Sequence, residues 1–521
     1  MTVCLYEGYL RNRKALCREL CVDPRSSRDE TEREILLKGY ARWGRALPEH
    51  LQGGFAFALR DRERRELFCA RDPLGLRPFW YCRASSALLF GTDLDAVVKD
   101  PRYEPGIDPE ALQIYMMFGY PAGGKTLYRG VVKLMPGHCL VYGENGLDVR
   151  PYTRLAFAPD YGPSEEEWAE EIDRTMQEIL ADDRENFDFS RGVSFLSGGV
   201  DSSWLLASSG VRTALSVGYG EAGASETQLA AETAARLGVR LLRTEVTSGA
   251  FFGAVPGVVR GLGLPLADAS SVVFALGCRD AAKEAAFCFS GEGADEFFAG
   301  YHLYRRAEEL ARTGGEWHYG CAGVMPQAPA LALLGMEQGF PCERLVEGIY
   351  RETEGGERLS RLLKIDLSLW LEGDILFSVN RAARANGLEI LLPYADPRMF
   401  ALSARIPSAL KLRDGCGKYI LRKAALKRLP YETAFRQKVG FSVPVREWMR
   451  KEEHLPEIRE VLFGEASRDF FDRKLLAGYW DSLQAGNTEI WQIPYAAYVF
   501  LVWYETCFLN HSGPDYCPTV I

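Results

Sequence analysis

No stretch of this chain stays apolar for the ~20 residues that a membrane-spanning helix requires. The most apolar run, Tyr495 to Asn510, is shorter and carries Glu505, so it reads as a buried terminal helix. A basic-then-apolar leader is also missing, since Met1-Thr2-Val3 runs straight into a strand pattern. There is no positive excess. The net charge of −9 argues against nucleic acid or an anionic membrane as the main partner. The small basic cluster from Arg60 to Arg65 reads as a solvated hairpin tip. Thirteen cysteines include no Cys-x-x-Cys pair, and only Cys17 and Cys21 share helical i,i+4 spacing, with no histidine near them. Metal fingers and disulfide frameworks are therefore excluded, leaving small buried thiols in a reducing, cytoplasmic setting as the expectation. No internal repeat and no disorder-prone bias is present.

At 521 residues, with 47% apolar and 26% charged side chains, the chain is globular and too long for one core. Its first part is rich in strand signals. Gly53 to Leu59 and Glu66 to Ala70 flank the charged turn as a hairpin. Phe79 to Cys82 and Leu88 to Gly91 make a second pair, joined around Ser85-Ser86. Residues 29–44 have a helical pattern, with Ile35, Leu36, Tyr40 and Trp43 on one side. Pro136-Gly137 precedes a strand from His138 to Tyr142, ended by turn residues Gly143 to Gly146. These signals predict an α+β domain over residues 1–157.

The stretch from Phe157 to Pro163, rich in proline, glycine and tyrosine, marks a boundary, and a second domain is expected over 164–521. Ser164 and Glu167 form a capping box for a helix running to about Asp182. Strands at Val193–Leu196, Ala214–Gly218, Leu241–Val246 and Ala286–Ser290 then alternate with helices at 226–237 and 271–282. Alternation of this kind predicts an α/β domain: a parallel sheet with helices on both faces and ligands at the carboxyl ends of its strands. The rest of the chain reads as mostly helical.

The most informative string follows the first of those strands. Leu196-Ser197-Gly198-Gly199-Val200-Asp201-Ser202-Ser203 is a turn of glycines and serines that leads into a helix starting near Ser202. Glycines let backbone N–H groups approach an anion, serines add hydroxyl donors, and the helix directs its positive end at the same spot. A pyrophosphate suits such a cradle. Asp201 would repel a bare phosphate, so it implies a Mg²⁺ that bridges carboxylate and phosphate oxygens. No Gly-Lys-Ser/Thr follows, which excludes a Walker loop.

A second loop, Ser290-Gly291-Glu292-Gly293-Ala294-Asp295-Glu296, also follows a strand end. Asp295 could share the Mg²⁺ with Asp201 if the two strands are neighbours, and Glu292 could act as general base toward an amine. An acidic helix N-terminus would explain Asp295 and Glu296, but not the paired glycines. Lys418, in Gly417-Lys418-Tyr419, and Lys438, in Arg436-Gln437-Lys438-Val439-Gly440-Phe441, each lie near glycine. A fixed ammonium stabilises the charge that grows when an acyl-adenylate forms and collapses, although spacing alone equally allows solvated surface lysines.

Together these strings resemble the asparagine synthetase family. Gly53 to Pro78, with Ala70-Arg71-Asp72-Pro73-Leu74-Gly75-Leu76-Arg77-Pro78, is similar to its glutaminase-domain core. Ser197–Ser203 and Ser290–Tyr301 are similar to its two phosphate-side loops. Ala267-Asp268-Ala269-Ser270, Pro393-Tyr394-Ala395-Asp396 and Arg436-Gln437-Lys438 match further. The resemblance implies an Ntn-hydrolase-like α+β domain, then an adenine nucleotide α-hydrolase-like α/β synthetase domain with a helical C-terminal part. It implies ATP with Mg²⁺, a carboxylate that is adenylated, and an amine that displaces AMP. By position, Asp201 and Asp295 would hold the metal, and Ser197, Gly198, Gly199, Ser202 and Ser203 the pyrophosphate. Leu196, Val217 and Gly218 would line the adenine site, with Gly291 close by. Lys438 would stabilise adenylation, Glu292 would deprotonate the amine, and Lys418 is a weaker phosphate candidate.

Departures from the family pattern limit what carries over. Position 2 is Thr where glutamine-hydrolysing members have the nucleophilic Cys, and Cys4 falls inside a strand. Leu5 to Asn12 aligns with a segment that normally lies well inside the chain, so the opening strands and nucleophile are expected to be absent. Glu7 replaces the oxyanion-stabilising Asn, placing negative charge where one must develop. Leu391 replaces an Arg and Asn380 an Asp, which puts aspartate as the acid in doubt. The expected activity is an AMP-forming amide ligase acting on a small-molecule or peptide carboxylate without its own glutaminase. Ammonia, a separate amine-supplying partner, or an amine on the substrate, as in lasso-peptide and β-lactam cyclases, would provide the nitrogen. A homodimer, a non-catalytic nucleotide binder and a tRNA-thiolating relative are the remaining alternatives.

Overall fold

The computed structural model describes residues 1–509, except 25–26, 86, 221–223, 307–318, 322 and 438–442. Eight strands come first: β1 (Thr2–Leu10), β2 (Gly53–Asp61), β3 (Glu66–Arg71), β4 (Trp80–Ala84), β5 (Ala87–Gly91), β6 (Val131–Lys133), β7 (His138–Gly143) and β8 (Gly146–Pro151). They form two antiparallel sheets, ordered β1-β2-β3-β7-β8 and β5-β4-β6. Alternation along β2 makes the layering. Phe55, Phe57 and Leu59 pack with Ile35, Leu36 and Tyr40 on the helix side. Ala56 and Ala58 face the other way, toward Phe79, Leu88 and Leu134 of the second sheet.

The helix Arg28–Trp43 opens with a Ser27/Glu30 capping box and is tied to β1 by Glu32. Tyr6 Oη donates to its carboxylate at 2.6 Å and the Leu10 N–H at 2.9 Å, and burial pushes the carboxyl up to about 7.

Helix Glu165–Asn186 starts at the expected Ser164/Glu167 capping box and runs one turn further than the sequence pattern suggests. Five strands follow: β9 (Gly192–Phe195), β10 (Thr213–Gly218), β11 (Arg240–Glu245), β12 (Phe287–Phe289) and β13 (Glu389–Leu391). Every pairing in this sheet is parallel, in the order β11-β10-β9-β12-β13. The chain winds outward from β9 to β11, then returns to the other side of β9. That reversal opens a crevice at the carboxyl ends of β9 and β12, the place where open α/β sheets bind ligands. Helix Ser248–Leu262 holds Pro256 inside it and glycine at positions 249, 253, 257 and 261, a composition that conceals it in the sequence. Gln492–Trp503 is the expected buried helix. No helix among the described residues is long and apolar enough to cross a membrane, and every described cysteine is a free thiol.

Buried ions join the antiparallel layers to the parallel sheet. Arg11, fully buried, donates to Asp183 at 2.8 and 3.2 Å and to Asp396 at 2.7 Å. Glu372 accepts from Arg71 at 2.9 Å and Lys133 at 2.6 Å. Arg77 donates to Asn380 at 3.0 Å and also pairs with Glu389.

Two stability predictions follow from these contacts. Replacing Arg11 by Leu leaves Asp183 buried without its cation, and urea unfolding is expected to show a loss of about 3–5 kcal/mol. Glu32 holds its proton in the folded chain over a pH range in which the unfolded chain has released it. Its contribution is complete below the ordinary carboxylate range and is lost as pH rises toward 7, at a slope of up to about 1.4 kcal/mol per pH unit. Glu32→Gln, which mimics the protonated acid, should flatten the measured stability between pH 5 and 7.

Candidate active site

Ser194 on β9 pairs directly with Phe289 on β12, so the two loops that follow these strands lie side by side. The condition set by the sequence, that the strands be neighbours, is met. Asp201 and Asp295 converge on one point, occupied by an ammonium: Lys418 Nζ is 2.5 Å from Asp201 Oδ2 and 2.8 Å from Asp295 Oδ1. The lysine is only 2% exposed. Its backbone is left-handed (φ 57°), a geometry that costs a non-glycine residue about 1–2 kcal/mol. The Lys418 N–H donates to Phe298 O at 3.0 Å and its carbonyl accepts from Arg422 N at 2.9 Å, which secures the turn. A methyl at Gly300 would overlap both Asp295 Oδ1 and Lys418 Cε, so glycine there is required by close approach.

The Ser197–Ser203 turn is held by its own hydroxyls. Ser202 Oγ accepts from Ser197 N at 3.2 Å and lies 3.1 Å from Ser197 Oγ, which accepts from Gly199 N at 3.3 Å. Gly198 has φ 82° and packs so tightly on helix Ala224–Leu237 that a side chain there would collide with Leu229 and Ala230. Arg436 Nη1 donates to Gly198 O at 2.9 Å from across the crevice. The helix starts at Val200 rather than near Ser202, because Gly199 adopts the extended capping conformation. Tyr394 Oη donates to the backbone carbonyl of Asp201 at 3.0 Å and secures the start of the helix there.

A cavity of about 360 Å³ opens above these loops. Phe195, Leu196, Leu215, Val217 and Phe274 form an apolar end, with Phe195 stacked on Phe274 at 4.5 Å. Ser197, Gly198, Gly199, Asp201 and Ser202 line the middle, facing Gly291, Glu292, Asp295 and Lys418. Glu292 Oε1 accepts from Ser290 Oγ at 3.1 Å. Two expected residues lie elsewhere. Ser203 is fully buried and turned into the core, and Gly218 sits against Thr227 and Glu245 at the end of β10; neither is among the lining residues. Lys438 lies outside the described residues. Lys418, the weaker candidate by sequence, is the side chain that joins the two loops.

Asn380 and Leu391 also lie apart from the cavity. Asn380 accepts from Arg77 and donates to Leu376 O at 2.7 Å, while Leu391 is fully buried on β13 beside Phe289. Their substitutions alter an interdomain contact and the core. The pattern did not single out Tyr301, Trp370, Ile375 and Val379, which also line the cavity. Only Tyr301 lay within a recognised string, and no motif marks the other three.

Two carboxylates on neighbouring strand ends, a glycine–serine turn and a lysine between them thus share one crevice. The asparagine synthase family model matches residues 189–505, and a glutamine amidotransferase domain model matches residues 1–153. The chain belongs to the asparagine synthase family. A Mycobacterium tuberculosis H37Rv protein, provisionally named a glutamine-hydrolysing asparagine synthetase, is 29% identical over 92% of this chain and 80% of its own length. Asparagine synthetase [glutamine-hydrolyzing] 1 of Bacillus subtilis strain 168 is 26% identical over 98% and 86%. Asparagine synthetase [glutamine-hydrolyzing] 3 of the same strain is 26% identical over 83% and 74%.

The residues present fit a divalent cation. Asp201 Oδ1 is buried without a hydrogen-bond partner, and the two carboxylates already face one small cationic group. Mg²⁺ commonly takes one or two carboxylates and fills its shell with water and phosphate oxygens. Gly300→Ala should splay Asp295 from Lys418 while leaving the core intact. The expected result is about a 100-fold loss of ATP-dependent turnover, since small misplacements at a reacting centre have effects of that size, with overpacking lowering stability in urea by only about 1–3 kcal/mol.

Proposed function

We propose that this chain is an ATP-dependent, AMP-forming amide ligase. Its carboxylate substrate attacks the α-phosphate of ATP, pyrophosphate leaves, and an amine then displaces AMP from the acyl-adenylate. The observation that carries this reading is the convergence of Asp201 and Asp295 on one point beside the Ser197–Gly199 turn. In this reading the antiparallel layers are Ntn-hydrolase-like and the parallel sheet is adenine nucleotide α-hydrolase-like.

Each residue has a role that suits its chemistry. Ser197, Gly198, Gly199 and Ser202 present donors to the pyrophosphate, with Ser203 supporting the turn from the core. Leu196 and Val217 close on the adenine ring, and Gly218 lets β10 end tightly beside it. Asp201 and Asp295 would hold Mg²⁺, which supplies positive charge to the β- and γ-phosphate oxygens. Lys418 keeps the two carboxylates together and presents an ammonium on the phosphate side. Lys438 is assigned the α-phosphate charge by its position in the family's string. Glu292, beside Gly291 at the end of β12, takes a proton from the attacking amine.

Glutamine is not the nitrogen source in this reading. Glu7 on β1 carries negative charge into the place of the family's oxyanion-stabilising Asn, and it pairs with Arg384 of the parallel-sheet unit. Ammonia or an amine carried by the substrate or a partner fits better. The purified chain with MgATP, ammonium and a mixture of carboxylic acids should release AMP and pyrophosphate in equal amounts. Asp295→Asn should lower that release by about 100-fold or more, the scale of losing an electrostatic stabiliser. ADP and phosphate as products, or no nucleotide turnover, would refute the ligase. Amide formed from glutamine alone would refute the account of Glu7.

A further inference from the structure

We propose that the acid adenylated here is a monocarboxylate with an uncharged apolar or aromatic body, and not a dicarboxylate such as aspartate. This inference rests on the ligase reading and names its substrate class. The apolar end near Phe274 and the serine turn are taken by the nucleotide, which leaves the wall beyond Asp295 for the acid. That wall is built from Tyr301, Trp370, Ile375 and Val379.

Its shape is set by an uncommon turn. Leu367–Ile375 is a π-helix, whose wider turn brings residues five apart much nearer to one face than the about 140° that separates them in an α-helix. Trp370 and Ile375 therefore face the cavity together, and the helix Leu376–Ala385 that follows adds Val379 one turn on. Trp370 Nε1 donates to Tyr301 Oη at 3.1 Å, and Tyr301 Oη donates to Glu296 at 2.6 Å, so both rings are fixed before any acid arrives. Rigid aromatic surface of this kind favours an apolar body.

Among the described residues, a second carboxylate would find no free counter-ion. The described cations lining the cavity are Lys418, Arg422 and Arg436. Lys418 is held between Asp201 and Asp295. Arg422 donates to the carbonyls of Gly417, Ala434 and Arg436 at 2.8–2.9 Å, and Arg436 reaches the Gly198 carbonyl at the serine turn. The remaining charged groups of the lining, Glu226, Asp268 and Glu292, are acidic. A dianion would leave one buried charge unpaired and facing like charge.

The test supplies MgATP and hydroxylamine, a small amine that converts an acyl-adenylate to a hydroxamate, with one acid at a time: benzoate, phenylacetate, hexanoate, succinate or aspartate. AMP and hydroxamate are both measured. At least tenfold faster turnover with a monocarboxylate than with aspartate or succinate is expected. Val379→Arg, which places a guanidinium in the wall, should move the ratio toward the dicarboxylates by a further tenfold. Turnover of aspartate or succinate as fast as the best monocarboxylate overturns the substrate assignment and leaves the ligase standing. No AMP with any of the five acids overturns the ligase reading, and the assignment with it.

Discussion

Two carboxylates held at the ends of adjacent parallel strands repel each other, and much of this structure serves to hold them together. Lys418 supplies the compensating charge at 2.5 and 2.8 Å. Reaching that point takes a left-handed turn, and the turn closes only because Gly417 and Gly300 have no side chains to strike Ala299, Asp295 and the lysine itself. Ala299 is likewise left-handed (φ 60°), so both facing loops carry backbone strain at the same place. Strain of about 1–3 kcal/mol per residue persists only where the surroundings over-determine it. Here they do: Tyr394 holds Asp201 by its carbonyl and Phe298 holds Lys418 by its N–H.

The same principle governs the contact between the two units. Arg11, Arg71, Arg77 and Lys133 all cross from the antiparallel layers to carboxylates or amides around the parallel sheet, and nearly all of these groups are buried. Desolvation makes such pairs weak sources of net stability but severe to break singly. Their effect is on geometry. Asp396, in the string with Tyr394, accepts from both Arg11 and Arg398, so the residue that supports Asp201 is anchored two positions away to the first unit. A shift of one unit on the other would reach the carboxylate pair through this short chain of contacts.

How much of this was legible in the sequence depended on period and on local chemistry. The strand signal of β2, the capping box at Ser164, and the two loops after β9 and β12 are local signals, and they lie where the pattern puts them. β13 was hidden because a strand of three residues beside a helix is too short to show a period. The role of Lys418 was hidden for a different reason. Nothing near it in sequence shows that Phe298 to Gly300, more than 100 residues earlier, will be folded against it. Asn380 and Leu391 put aspartate in doubt only through their place in a family string; in the structure one binds Arg77 and the other fills the core. A motif reports which residues occur together, not which of them face the ligand.

Glu7 carries this point to the relation between the two units. On β1 it is registered against Ala56, and its carboxylate meets Arg384 from the helix that also supplies Ser378 and Val379 to the cavity. A group that stabilises a developing oxyanion must offer a donor, and an ionised carboxylate offers none. Glu7 forms an ion pair between the two units, on the helix that lines one wall of the cavity. The first unit thereby holds that helix in place. Its buried arginines hold the parallel-sheet unit from the other side, so the matched amidotransferase domain takes part in fixing the walls of the cavity.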